Sequence, residues 1–412
     1  MGGIKRIVRG SAPAILGALA LAGCASSQAD APPVARVPFA DVVRPAAVTL
    51  TQPPARDPSE LQVLFWNDEQ RSQRFREMEN WFAGHEVPAP SSTRPLPKGK
   101  PLPPALRAEI TALMKATKTA GVMVLAGGKV VHEEYGLGMG PKDRWTSFSV
   151  AKSFTSTLLG AAVKDGLISL DDPVTKHIPG LKGSAYEGVT VRQLATMTSG
   201  VKWDENYTDP KSDVAQMNRF VVEFGADAIV AQMKALPREA EPGTKWVYKT
   251  GETNLIGLLV ENAVGKPLAE YAQLKIVAAA GFEGGMFWMV DPRGGNIGGC
   301  CLSIRLSDYA RMGQFALEGG GAQVPLDWFA EATDSAVDFG DSGFGYGYQW
   351  WTYPQGTYGA QGIFGQGITI FPGKRSGQGV VFAYIGNWKE ASGGATRGEF
   401  LDLSRKVAAA VE

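Results

Sequence analysis

The sequence predicts an α+β protein whose first and last strands share one sheet. Three observations carry this prediction. Two β-rich runs, 122–126 and 129–134, meet at Gly127-Gly128, the signature of a tight hairpin. Three more strand-like runs, 346–352, 367–371 and 379–385, lie near the C-terminus. The region between, about 170–280, has mostly helical spacing broken by Gly and Pro. Strands at both ends with helices between them fit an α+β layer arrangement better than alternating βα units.

Taken in order, the chain begins with a targeting signal. Lys5, Arg6 and Arg9 form a positive start, and 12–22 is an apolar stretch too short for a confident membrane span. It ends in Leu21-Ala22-Gly23-Cys24, followed by polar residues. This resembles the bacterial lipobox, so residues 1–23 are expected to be removed and Cys24 to carry lipid, with no spanning helix needed. Residues 24–60 are rich in Pro and Ala and read as a tether. Residues 61–105 form an N-terminal extension: 61–82 has helical spacing with several aromatics, and 88–104 is a Pro-rich linker. The main body is 106–412. Within it a helix is expected from about Ser149 to Asp165 and another from Arg397 to Val411. No internal repeat is present.

Composition narrows the function. The chain has 412 residues, 44% hydrophobic and 20% charged, which describes a globular protein longer than one compact core usually holds. Basic and acidic residues balance at 41 each, and losing the basic leader would leave a slight acidic excess. Nucleic acid, which needs a basic surplus, is not the expected partner. Beyond Cys24 the cysteines are the adjacent Cys300 and Cys301. Adjacent Cα atoms sit closer than a relaxed disulfide prefers, so they are expected as two small buried side chains.

Several catalytic signatures are missing. There is no Gly-x-Ser-x-Gly elbow and no phosphate-cradling loop, and His85, His132 and His177 form no metal-ligand pattern. No metal or organic cofactor is expected. The positive signal is Ser149-Val150-Ala151-Lys152. Three residues apart, Ser and Lys share one face of a helix. Burial would lower the Lys pKa and make it a base, and the helix N-terminus favours a nearby oxyanion. A second such pair, Ser199-Gly200-Val201-Lys202, falls in a turn with Gly directly after the Ser, where a rigid face is not expected.

The stretch Trp145–Ser156 resembles the active-site helix of the class C β-lactamase-related serine hydrolases, the penicillin-recognising enzymes. Within that group the chain is most similar to the aminohexanoate-dimer hydrolases. Further resemblance lies in Leu170-Asp171-Asp172-Pro173-Val174, in Leu194–Tyr207, in Pro242-Gly243-Thr244-Lys245-Trp246-Val247-Tyr248, in Arg305–Gly313 and in Tyr348-Gln349-Trp350-Trp351. The resemblance implies an antiparallel sheet flanked by helices, a mostly helical subdomain, and a site between them.

It also implies roles. Ser149 is the nucleophile, Lys152 the general base, and Tyr248 the proton shuttle, its phenol aided if a cation lowers its pKa. The backbone N–H groups of Ser149 and Ile363 form the oxyanion hole. Tyr207, Gln361, Gly362 and Thr250 face substrate. Two positions depart from the family pattern: Thr250 stands where Ser or Asn is usual, and Ala360 where a cation or His often stands. An anionic β-lactam would miss that partner. The expected activity is cleavage of a small ester or amide on the periplasmic side of the cell envelope. A β-lactamase or peptidoglycan D-amino-acid peptidase is the near alternative, and a lipid-anchored penicillin sensor without turnover the distant one. Asp308 and Arg311 read as a helix surface pair, and Asp204 and Glu205 as solvated loop charges.

Overall fold

The structure, a computed structural model, describes residues 47–217, 227–375 and 377–411. The expected signal segment and Cys24 lie outside the described residues. Backbone contacts separate a first unit, Met1–Arg44, from a second, Pro45–Glu412, which holds every described residue.

Two antiparallel sheets form. The smaller contains β1 (Thr49–Thr51), β2 (Gly84–Val87), β5 (Arg144–Thr146), β6 (Met286–Met289) and β7 (Leu302–Arg305), in the order β1-β2-β6-β7-β5. The larger contains β3 (Thr119–Ala126), β4 (Lys129–Tyr135), β8 (Val337–Asp338), β9 (Gly345–Tyr346), β10 (Trp351–Thr352), β11 (Tyr358–Gly362), β12 (Gln366–Pro372) and β13 (Gly379–Gly386). Its order is β4-β3-β13-β12-β11-β10-β9-β8.

The predicted hairpin is β3–β4. Gly127 and Gly128 both have positive φ, 53° and 75°, which a two-residue hairpin turn demands and a β-carbon resists. Strand β3 pairs on its other edge with β13, so the first strand of the hairpin and the last strand of the chain share one sheet as predicted, although β1 and β2, which precede them, belong to the smaller sheet. Both faces of this pair are covered. Val122, Val124, Val380, Phe382 and Tyr384 pack with Ile110 and Met114 of helix Pro104–Thr117 and with Phe400, Leu403 and Val407 of helix Gly394–Val411. The alternate residues Met123, Leu125, Val381, Ala383 and Ile385 enter the larger core, with helix Leu306–Leu317. Side chains alternate along a strand, and here neither face meets water, which explains why β13 reads as an almost unbroken apolar run.

Four expectations need correcting. Residues 346–352 are not one strand: Gln349 takes φ 61°, and Tyr346 of β9 comes back to pair with Trp351 of β10. In 61–82 only Asp68–Arg74 is α-helical, although Trp66, Phe75 and Met78 are buried in the main core. Packing of its aromatics, rather than helix propensity, holds that segment. Residues 88–104 do more than link: Arg94 makes a two-pronged contact with Glu318, at 2.6 and 2.5 Å, and its carbonyl accepts from Arg311 Nε at 3.0 Å. Asp308 and Arg311 are a buried pair at 3.1 Å, not a surface one. Asp308 also accepts from the backbone N–H groups of Glu283 and Gly284 at 2.7 and 3.0 Å, so it fastens a turn to the helix.

Candidate active site

Ser149 sits in a 3-10 turn, Phe148–Val150, that leads into helix Ala151–Lys164. Phe148 has φ 43°, a conformation that costs a non-glycine residue free energy and persists only where its surroundings impose it. They do so here. The Phe148 ring packs against Phe75 at 4.9 Å and Phe364 at 5.6 Å. Ser147 is pinned to β7 by two bonds, its N–H donating to Leu302 O at 2.7 Å and its hydroxyl accepting from Leu302 N at 3.1 Å. The turn lifts Ser149 into partial exposure between buried neighbours.

One turn further on, Lys152 is buried, with 1% of its surface exposed. Its Nζ donates to Gly299 O at 2.8 Å and to Thr250 Oγ1 at 2.9 Å, and lies 3.4 Å from Ser149 Oγ. Burial pushes its pKa down to about 8, against a smaller upward pull from the Glu205 charge. Gly299 is itself fixed: its N–H donates to Asn254 Oδ1 at 2.8 Å, and a β-carbon there would crowd Asn254 and Thr250. Cys300 and Cys301 follow directly. Cys301 takes φ 76°, and the two close as a vicinal disulfide with Cα atoms 3.6 Å apart. The expectation of two separate side chains assumed a relaxed backbone that this turn does not have.

Glu205 is the residue the sequence argument discarded. Its carboxylate accepts from Thr250 N at 2.9 Å, from Tyr207 Oη at 2.9 Å, from Thr250 Oγ1 and from Trp203 Nε1. Four donors on one side chain suit an ionised carboxylate, which can only accept. A signal was available. Trp203, Glu205 and Tyr207 alternate, so an extended segment puts all three on one side. Asp204 itself is exposed, as expected.

Proton counting now fixes directions. Thr250 Oγ1 has one proton, and it goes to Glu205. Toward Lys152 it can only accept, as can the Gly299 carbonyl. A neutral Lys152 amine therefore spends both its protons on these two acceptors, and its lone pair is left for the third neighbour, Ser149 Oγ.

Tyr248 precedes helix Thr250–Val264 and lies beside Ser149. Its ring centroid is 5.2 Å from Lys152 Nζ. Burial and the Glu205 charge push its pKa up, outweighing the downward pull of Ser149 and of the Arg397 charge. Tyr248 is thus a protonated phenol, and the condition that a cation lowers its pKa is not met. Trp246, Tyr346 and Trp351 wall it in, with Trp351 stacked 5.5 Å away.

Strand β11 closes the site from the other side. A β-carbon on Gly362 would run into Ser147 O and come within 3.2 Å of Ser149 N, so only glycine lets the strand approach this closely. Ile363 follows it. Gln361 Nε2 donates to Tyr353 Oη at 2.5 Å. Ala360 is buried and pairs with Ile368 of β12. The second Ser-x-x-Lys pair is not assembled: Ser199 is buried and donates to Glu252, while Lys202 points to solvent. The histidines are engaged elsewhere, His85 with Asn296, His132 with Glu134 and His177 with Asp172. Among the described residues no group of His, Cys, Asp and Glu could hold a metal ion.

The model of the family described as Beta-lactamase matches residues 106–404. A 6-aminohexanoate-dimer hydrolase of Paenarthrobacter ureafaciens is 28% identical over 317 residues, covering 71% of this chain and 80% of that protein. Among solved structures, a Bacillus anthracis protein assigned as a 6-aminohexanoate-dimer hydrolase superposes with a TM-score of 0.72 at 19% identity, covering 87% of this chain and 98% of the other. A D-stereospecific amidohydrolase from Streptomyces gives a TM-score of 0.56 at 18% identity, covering 72% and 97%. At those identities the structures speak for the fold alone, but the family match spans most of the chain. With its antiparallel sheets flanked by helices, this chain belongs to the beta-lactamase family and is a serine hydrolase.

Proposed function

We propose that the protein hydrolyses a small linear ester or amide through an acyl-enzyme on Ser149. The observation that carries this is the environment of Lys152. A buried amine with pKa about 8, both of whose protons have fixed acceptors, directs its lone pair at the serine hydroxyl 3.4 Å away. Ser149 Oγ attacks the carbonyl carbon while its proton passes to Lys152 Nζ. The oxyanion rests on the N–H groups of Ser149 and Ile363 at the start of the helix. Tyr248, neutral and beside Ser149, hands its proton to the departing alcohol or amine and is reprotonated from Lys152. Breakdown of the tetrahedral species leaves the acyl group on Ser149. Water then attacks by the same proton route in reverse and frees the acid.

Thr250 acts on Lys152 rather than on substrate, because its hydroxyl is taken at both ends. Tyr207 and Gln361, both partly exposed, supply polar contacts to the substrate. The named activity of the Paenarthrobacter relative, a dimer hydrolase, supports a linear amide. Ala360 supports the same choice, since it gives an anion no partner on β11. Export and lipid attachment through Cys24 belong to this proposal and place the site on the periplasmic side of the envelope.

The test is turnover of p-nitrophenyl butyrate, a linear aminohexanoate dimer and nitrocefin by wild type and Ser149→Ala. Ester or amide turnover well above nitrocefin turnover, lost in the variant, is expected. Retention of most of the rate by Ser149→Ala rejects the proposal. Membrane-fraction binding that is lost in Cys24→Ala tests the anchor.

A further inference from the structure

Arg397 lies on helix Gly394–Val411, outside every motif that carries the family resemblance. Its Nη2 donates to the Gly362 carbonyl at 3.0 Å. In a trans peptide, C=O and N–H point in opposite directions. The Gly362 carbonyl faces Arg397, so the N–H of the same peptide, which is that of Ile363, faces away from it. That peptide follows directly on Gly362, where a β-carbon would come within 3.2 Å of Ser149 N.

The same C-terminal segment grips the turn that follows. Phe364 N–H donates to Ala391 O and Trp388 N–H to Phe364 O, both at 2.9 Å. Gly365 lies so close to the Trp388 indole that a β-carbon would not fit. Arg397 is held in turn, its Nε donating to Ser392 O at 3.3 Å and its guanidinium lying 5.3 Å from the Trp388 ring centroid.

We infer that Arg397 is a positioning residue that aims and polarises the Ile363 N–H for the oxyanion. The inference rests on the Ser149 acyl-enzyme reading and on Ile363 as the second oxyanion donor. A cation bonded to an amide oxygen draws electron density through the amide, and its N–H becomes a stronger donor. The bond also fixes the peptide before charge develops, so nothing has to reorient during reaction. Because the oxyanion exists only at the tetrahedral stage, the benefit falls on the acylation rate and not on ground-state binding.

The experiment compares wild type, Arg397→Met and Arg397→Lys with neutral p-nitrophenyl butyrate and anionic mono-p-nitrophenyl succinate. It reads the acylation burst, KM, the thermal midpoint and inhibition by n-butylboronic acid, which forms a tetrahedral adduct with a reactive serine. Loss of a whole oxyanion donor costs about 10²–10³ in rate, so loss of its orientation by Arg397→Met is expected to slow acylation roughly tenfold with both esters. KM should stay within about twofold while butylboronate affinity falls by the factor seen in acylation, and Arg397→Lys should recover part of both. Should the Met variant fail to fold, the Lys variant decides: a slowed burst with unchanged KM supports the inference. Unchanged acylation and boronate affinity overturn it. So does a defect confined to the succinate ester and expressed in KM, which would make Arg397 a contact for a substrate anion. A wild type without a burst that Ser149→Ala abolishes would instead remove the acyl-enzyme reading beneath it.

Discussion

Replacing Glu205 with Gln removes one charge and leaves the shape nearly intact, which makes it the sharpest probe of the network. The carboxylate reaches Lys152 through one hydroxyl group: Thr250 Oγ1 donates to Glu205 and accepts from Lys152 Nζ at 2.9 Å. At a charge separation of ~5 Å and an effective dielectric of ~20–40, the attraction is about 2–3 kcal/mol, or about one to two pH units. The sign follows directly. A negative neighbour favours the charged ammonium and raises the Lys152 pKa, so Glu205→Gln lowers it. In wild type the pKa of about 8 leaves roughly a tenth of the enzyme with a neutral lysine at pH 7. The acid limb of kcat/KM should therefore rise through pH 8 in wild type and move about one to two units lower in Glu205→Gln. The alkaline plateau should fall at the same time, because a Gln amide can donate to Thr250 Oγ1 and free the threonine proton to occupy the Lys152 lone pair. The assay is initial hydrolysis of p-nitrophenyl butyrate from pH 5.5 to 10, corrected for spontaneous hydrolysis. An acid limb that stays in place or moves upward refutes both the charge argument and the proton count.

Three further outcomes are expected. Lys152→Met should cut kcat/KM about 10³-fold or more at pH 8, since the base of the proposed mechanism is gone, and thermal unfolding should show the fold kept because a buried polar group has been replaced by an apolar one. Gly362→Ala should cost about 10²-fold or more in acylation rate, measured by burst kinetics, because the new methyl group displaces the Ser147–Ser149 turn that it would meet. Arg311→Met should lower stability by about 3–5 kcal/mol in urea unfolding, since it strips the fully buried Asp308 of its cation, while kcat/KM per folded molecule stays within about twofold.

Much of the fold lay open in the sequence because it follows local rules. The hairpin at Gly127-Gly128 needs positive φ twice in succession, and glycine there is a direct statement of backbone geometry. The neighbouring placement of β3 and β13 followed from strands at both ends of a helical middle. The Ser149–Lys152 spacing carried its own mechanism, and the structure brings the two groups together at 3.4 Å. What escaped depends on tertiary contacts. Glu205 reads as a loop charge until Trp203, Tyr207 and Thr250 are seen to converge on it. Gly299 reads as one glycine among many until its carbonyl is found on Lys152. Asp308 and Arg311 have helix-surface spacing, and groups distant in the chain cover the pair: the Arg94 carbonyl on Arg311 and the Glu283 and Gly284 N–H groups on Asp308. Gln349 turns a run of aromatics into two short strands through a φ that its residue type does not announce.

The central claim is a covalent acyl-enzyme on Ser149. It is tested most directly by intact mass of the protein, lacking residues 1–23, quenched in acid within seconds of mixing with p-nitrophenyl butyrate, followed by peptide mapping. A butyryl adduct on the peptide carrying Ser149, absent from Ser149→Ala and decaying as nitrophenol release continues, is the predicted result. Nitrophenol release equal in wild type and Ser149→Ala, with no adduct on that peptide, would contradict the account.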